Sequence, residues 1–326
     1  MNLRTSGLIV ANGLLAFALG CGSRADLAPS GGSSSAPVGG SVAPSCAGNG
    51  TPLVLATDSS RVIGLAVDAS NVYWLDAEGN VMRVSKCGGP ATTLANAGAA
   101  RSDSLGAFTT DATSAYWVAG ANALFAVPLS GGTPVTLAPN MDTLGLTVKG
   151  AELYSVSHSF VVHLSVHGGT PSELAASSTY APGLPAADDA NVYWVGEGVF
   201  SAPRAGGTTT TLATARDVAT GLAIDDANVY WCDSSDPVGP IMRTPKAGGP
   251  SVTLATHQSG AAGFATDGHD VYWTIEEAAG AVVKVAVDGG SVTTLASATS
   301  PGAIAVDDTG VYWAESEGAV MRLSAK

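Results

Sequence analysis

GLAVDASNVYWLDAEGNVMRVSKCGGPATTLA, residues 64–95, holds four short β-rich runs separated by turn residues. The first is a small-apolar run ending at Asp68, and the second is Asn71-Val72-Tyr73-Trp74. The third is Asn80-Val81-Met82-Arg83-Val84, and the last is Thr92-Thr93-Leu94-Ala95. A short polar turn follows Asp68, an acidic loop precedes Asn80, and Gly88-Gly89 leads into the fourth run. The central Tyr-Trp pair recurs at Tyr116-Trp117, Tyr193-Trp194, Tyr230-Trp231, Tyr272-Trp273 and Tyr312-Trp313, with an eroded copy at Tyr154-Ser155. Every tryptophan of the chain belongs to this series.

A period of about 40 residues carrying four strand-like runs is the pattern of one four-stranded propeller blade. Helix-period stripes and capping signals are absent, so the globular part reads as an all-β propeller. The third run carries a large apolar column at Met82, Phe125, Val162, Phe200, Met242, Val283 and Met321. A second apolar residue precedes each of these, which means that both faces of every sheet are covered. Tyr and Trp are consecutive, so they point to opposite faces, each toward a neighbouring blade. A glycine column (Gly64, Gly106, Gly145, Gly183, Gly221, Gly263, Gly302) precedes the first strand, where inner strands converge. Gly-Gly pairs beginning at 88, 131, 168, 206, 248 and 289 suit a two-residue hairpin turn.

Seven units align, but the seventh stops at Lys326 without a fourth run. Gly50-Thr51-Pro52-Leu53-Val54-Leu55-Ala56 matches Gly132-Thr133-Pro134-Val135-Thr136-Leu137-Ala138, so an N-terminal strand is expected to close the last blade. The alternative is six blades, with the eroded unit as an insertion.

Two segments precede the propeller at 51–326. Arg4 followed by the apolar run 8–19 reads as a signal peptide over 1–20, too short for a membrane span. Gly20-Cys21 resembles a bacterial lipobox, in which the cysteine is lipidated; Ala18 stands where that motif usually has Leu. Residues 21–50 combine this cysteine with a Gly/Ser/Ala/Pro-rich linker. Such a tether spans roughly 25–30 Å. The expected location is a membrane-anchored lipoprotein of the bacterial envelope, at the outer membrane on its periplasmic or surface side. The lipid anchor is then the one contact with membrane.

The chain carries 27 acidic against 14 basic residues, a formal net charge of -13. That balance excludes nucleic acid as a partner. With Cys21 lipidated, Cys46, Cys87 and Cys232 remain. A Cys46–Cys87 disulfide would staple the closure; two unpaired thiols on separate loops are the other reading. Cys232 reads as a buried small hydrophobe.

The pattern Ala-Val-Asp, Val-Tyr-Trp-Thr, Val-Xaa-Val, Asp-Gly-Gly, Leu-Ala, clearest at 265–296, resembles the YWTD-type propellers of low-density-lipoprotein-receptor relatives. Val271-Tyr272-Trp273-Thr274 comes nearest to their tetrapeptide, with Ile275 in place of its final Asp. Those propellers have six blades and flanking cysteine-rich modules, so receptor function does not carry over. The resemblance implies a rigid binding platform.

Candidate chemistry is sparse. An Asp column (Asp68, Asp111, Asp188, Asp225, Asp267, Asp307) either initiates tight turns or forms a cation-binding ring. His158, His163 and His167 cluster in unit three, at spacings that do not suit one metal. Arg83, Arg243, Lys284 and Arg322 share a strand-three column and read as ion-paired or snorkelling. The functional signal lies in the loops joining strands two and three. These carry Asp76, Glu78, Glu197, Asp233, Asp236, Glu276, Glu277, Glu315 and Glu317, with no Lys or Arg. The interblade connections, with Arg61, Arg101 and Arg216, are expected on the same face. The favoured function is a non-catalytic, monomeric module binding a protein, peptide or saccharide, without cofactor or metal. The alternative is a lactonase- or lyase-like propeller enzyme with a channel metal, although no nucleophile–base or ligand set stands out.

Overall fold

The computed structural model describes residues 50–58, 60–98, 107–119, 122–141, 143–157, 160–176, 184–215, 219–233 and 239–324. Those residues form strands and no helix. The strands pair into seven four-stranded antiparallel sheets. Blades 1 to 6 span 62–96, 108–138, 145–176, 186–214, 219–255 and 261–298, each in sequence order. Blade 7 combines Pro301–Asp307, Gly310–Glu315 and Ala319–Leu323 with an outer strand, Leu53–Thr57, drawn from ahead of blade 1. In that closing pair Leu53 lies opposite Arg322 and Val54 opposite Met321. Inner strands touch their neighbours all the way round, blade 7 against blade 1 included. The chain folds as a seven-bladed β-propeller. Six blades are ruled out because the eroded unit makes a complete sheet of its own.

Consecutive Tyr and Trp side chains hold the ring together from opposite faces of each blade. Tyr73 packs with Trp117 of the next blade, whereas Trp74 packs with Tyr312 of the previous one. The same pairing joins Tyr154 to Trp194, Tyr193 to Trp231, Tyr230 to Trp273 and Tyr272 to Trp313. All twelve of these rings are essentially inaccessible. A buried ring removes 150–250 Å² from water, roughly 4–6 kcal/mol of transfer free energy as an upper bound. Six of the seven interfaces carry this aromatic pair. The exception is the seam between blades 2 and 3, where Ser155 replaces Trp. There Met141, from the connection between the blades, joins the core beside Tyr116 and Leu146, and Ser155 bonds to the Thr143 hydroxyl.

Two expectations about glycine are corrected. Gly64 and Gly221 do not precede the inner strand but lie within it, at a bulge. A Cβ at Gly64 would come within 2.6 Å of Phe108 Cβ in the next blade, and at Gly221 it would meet the Phe264 ring. Each glycine is thus a hole that the following blade fills. The Gly-Gly pairs, likewise, are not the central residues of two-residue hairpins. The first glycine donates its amide three residues back, as in Gly88 to the Ser85 carbonyl and Gly206 to Pro203. It closes a turn whose central residues are Lys86-Cys87 in blade 1 and Arg204-Ala205 in blade 4, and its positive φ (79° at Gly88) supplies the left-handed step before strand four.

Candidate functional site

Hydrogen bonds gather the strand two–three loops and the interblade connections onto one face. Ala77 donates to the Arg61 carbonyl, Glu276 to Gly260, Ser316 to Thr299, and Asp58 to Gly318. The opposite face carries the strand one–two and strand three–four turns, because antiparallel strands alternate direction.

The nine acidic loop positions divide into different roles. Glu78, Glu197, Glu276, Glu277 and Glu317 are exposed. Glu315 is half-buried and accepts the Trp313 indole N–H at 3.4 Å. Asp76 is buried and accepts from both the amide and the side chain of Asn80, at 2.8 and 2.7 Å. It caps its own loop and presents no carboxylate to solvent. Asp233 is buried as well. Asp236, Arg101 and Arg216 lie outside the described residues, as do Cys21 and Cys46. Arg61 reaches past blade 7 to Glu276, 3.5 Å away, with both side chains about two-fifths exposed at 43% and 38%.

Sequence reasoning did not find where the cations go. Nine lysines and arginines are described, and Arg61 is the one on the loop face. Of the other eight, seven are drawn into blade-to-blade latches near the turn face, and Lys284 pairs within its own blade. Lys86 and Lys246, each at the first central position of a turn, reach Asp307 and Asp188 of the preceding blade. Arg204, in the same column, donates to the Tyr154 hydroxyl at 2.7 Å and to the Lys149 carbonyl at 2.8 Å. Arg83, Arg243 and Arg322 lie beside the tyrosines of their own blades. They donate forward to the Leu129, Val287 and Lys86 carbonyls of the following turns. Lys149 pairs with Asp189, and Lys284 with Asp270.

The Asp column anchors these latches. Asp68 Oδ1 accepts the Ser70 and Asn71 amides, both at 2.7 Å, and Oδ2 accepts the Tyr73 hydroxyl at 2.8 Å. Asp111, Asp188, Asp225 and Asp267 repeat the turn and the bond to the tyrosine five residues on. These are turn-forming aspartates, as one of the two readings expected. Partial burial alone would raise Asp68 and Asp188. Hydrogen bonds from Ser70, Tyr73 and Asn71 at the first, and from Lys246, Asn191 and Tyr193 at the second, outweigh it and hold both below the usual carboxylate range. Burial, reinforced by Asp68, pushes the Tyr73 phenol far up, and Tyr230 behaves alike beside Asp225. Blade 3 lacks the aspartate, having Lys149 there, and the Arg204 guanidinium serves Tyr154 instead.

Among the described residues no group of three or more His, Cys, Asp or Glu is placed to hold a metal. His163 lies 3.3 Å from Glu152 and stacks on Tyr154, while His158 is outside the described residues. Burial raises the Cys232 thiol to about 11, which makes it a poor nucleophile.

No family model matches this chain, and no curated protein matches it in sequence. Solved structures do resemble it. The WD40 beta propeller domain of Doa1 aligns with TM-score 0.65 at 17% identity, over 85% of this chain and 97% of that one. YCF48 bound to D1 peptide aligns with TM-score 0.61 at 9% identity, over 85% and 97%. BamB from Moraxella catarrhalis aligns with TM-score 0.53 at 15% identity, over 80% and 82%. The likeness is one of fold.

Proposed function

We propose that this propeller is a non-catalytic binding module of a bacterial envelope, tethered by lipid at Cys21 and the linker 21–50 after removal of residues 1–20. Its partner is a protein, peptide or saccharide carrying cationic groups. The observation that carries this reading is the partition of charge. Eight of nine described cations bond to partners near the turn face, seven of them across a blade seam, which leaves the loop face with exposed carboxylates and Arg61. An acidic surface on a rigid disc attracts cationic ligands over about a Debye length and sets salt-dependent association. The propeller neighbour YCF48 was solved with a bound peptide, which agrees with a peptide-binding role for such a disc. We also infer a YWTD-type origin for the repeat from Val271-Tyr272-Trp273-Thr274.

Two measurements test this. The Cys21→Ser variant should move from the membrane fraction to the soluble fraction; identical fractionation would remove the lipid anchor from the proposal. Glu78, Glu276, Glu277 and Glu317 lie on three consecutive blades and are all exposed. Changing the four to Gln should leave folding nearly intact. Partner capture from solubilised membranes should weaken, and its salt dependence should flatten. Unchanged capture and salt response would assign the acidity to solubility alone.

A further inference from the structure

The chain crosses every seam once, so seams differ in the side chains that meet across them. Two devices hold them. One is the Tyr–Trp pair, for which an alanine opposite the tyrosine leaves room for the indole of the next blade. Ala66 shares a core with Trp117 in this way, Ala223 with Trp273, Ala265 with Trp313 and Ala305 with Trp74. The other device is the cation latch. The closure seam between blades 7 and 1 has both, with Tyr312 on Trp74, Lys86 on Asp307 and Arg322 on the Lys86 carbonyl.

Among the described residues, the seam between blades 2 and 3 has neither. Ser155 stands in the tryptophan column, and the residue opposite Tyr116 on the inner strand is Thr109 instead of alanine. Thr109 is fully buried, and its hydroxyl has no protein partner. Ala126 pairs with Tyr116 at the position that Arg83 and Arg243 hold beside Tyr73 and Tyr230. Val166 takes the turn position of Lys86 and Lys246, and Asp111 bonds to its own turn and to Tyr116. Met141 packs in the seam, and the Gly169 amide reaches across it to the Leu137 carbonyl at 3.3 Å. A buried hydroxyl without a partner favours any state that admits water to it.

We propose that the ring opens at the seam between blades 2 and 3, so that this interior seam, and not the closure seam, is the disc's built-in point of opening. In the open state Tyr116, Met141, Leu146 and Ser155 become accessible and water reaches Thr109. Each blade keeps its own hydrogen-bonded sheet.

The test uses the full chain. Ser155→Cys puts a thiol of nearly the same size into this seam. Native Cys232, a free buried thiol in one core with Phe264 and Trp273, reports on the latched seam between blades 5 and 6 of the same molecule. N-ethylmaleimide is added under native conditions, and modified peptides are followed by mass spectrometry. Each rate is divided by that of the same thiol in the urea-unfolded chain. The Ser155→Cys thiol should react at least about tenfold faster than Cys232. Adding Ala126→Arg places a guanidinium where blade 1 has Arg83, aimed at the Val166 carbonyl, the counterpart of the Leu129 carbonyl that Arg83 takes. It should slow the Ser155→Cys thiol about fivefold and leave Cys232 unchanged. Equal rates at the two thiols, or no slowing by the added arginine, overturn the proposal.

Hydrogen exchange of the unaltered chain gives an independent reading, and decides the matter if the variants do not accumulate. Amides of Phe108–Thr110 and Gly145–Lys149 should exchange before those of Val62–Val67 and Pro301–Asp307, which flank the closure seam. The reverse order overturns the proposal.

Discussion

Lys86, in the turn of the first blade, and Asp307, at the end of the inner strand of the last, form a buried ion pair across 221 residues of sequence. The Asp307 carboxylate also accepts the Thr309 and Gly310 amides, at 2.8 and 3.1 Å. Removing Lys86 therefore leaves a buried charge short of its main partner. Lys86→Ala is expected to cost about 3–5 kcal/mol. Lys284→Ala, whose pair with Asp270 is more exposed, should cost about 1 kcal/mol or less. Urea unfolding of both variants measures the difference, and equal losses would mean that the seam is no stronger than the blades.

The aromatic seams make a second prediction. Trp194 is 1% exposed and packs against Tyr154 of the previous blade. Trp194→Ala should cost about 3–5 kcal/mol by the lost transfer energy and the cavity left behind. At the one seam without a tryptophan, Met141→Ala should cost about 2–4 kcal/mol, because Met141 is 4% exposed in that core. A loss well below 1 kcal/mol at either site in chemical denaturation would contradict the packing described.

Alkali should unfold the protein in step with tyrosine ionisation. Burial first, and then the aspartate beside them, raise Tyr73, Tyr116, Tyr193, Tyr230 and Tyr272. Burial, with the Asp307 charge, pushes Tyr312 up to about 12. A phenol raised in the folded state stabilises it below the unfolded pKa of about 10, and that stability is lost as pH rises toward the folded value. Phenolate absorbance should therefore lag above about pH 10 and then rise together with loss of β-structure. A gradual rise centred near pH 10 with the fold intact would refute this. On the acid side the sign reverses: Asp68 and Asp188, held low, stabilise above about pH 4 and cease to do so as pH falls through their folded values.

Truncation separates the linker from the closing strand. Deleting residues 22–45 should leave Tm nearly unchanged. Deleting everything through Ala56 bares the edge of Ala319–Leu323 and should promote aggregation, visible by light scattering. If both truncations behave alike, the closing strand contributes nothing measurable.

Blade number and closure were legible because they depend on local patterns that repeat. Every Tyr-Trp pair lies on a second strand, and Trp74, Trp117 and Trp194 face Met82, Phe125 and Phe200 across the hairpin as the column alignment implies. The segment matched to 132–138 is the outer strand of blade 7. The Asp–Tyr bond was less visible, although its signal, a constant offset of five residues, is present in five blades. Reading it requires knowing that the hairpin folds the phenol back over the turn. Burial of Asp76 had a signal too, in the Asn80 four residues later, but an acidic loop reads the same whether its carboxylate faces water or its own backbone. The destinations of Lys86, Arg204 and Lys246 are blades away in sequence, and no local pattern encodes them.

The split construction of blade 7 has a consequence for the timing of biosynthesis. Leu53 leaves the ribosome long before Arg322, its partner across the sheet. At about 5–20 residues per second, the interval between them is roughly 15–50 s. Through that interval Trp74 has no Tyr312 to cover it, and the outermost strand of the last blade waits as an unpaired apolar segment. The first blade synthesised is thus among the last to acquire its complete set of neighbours, so maturation of the disc ends where translation began.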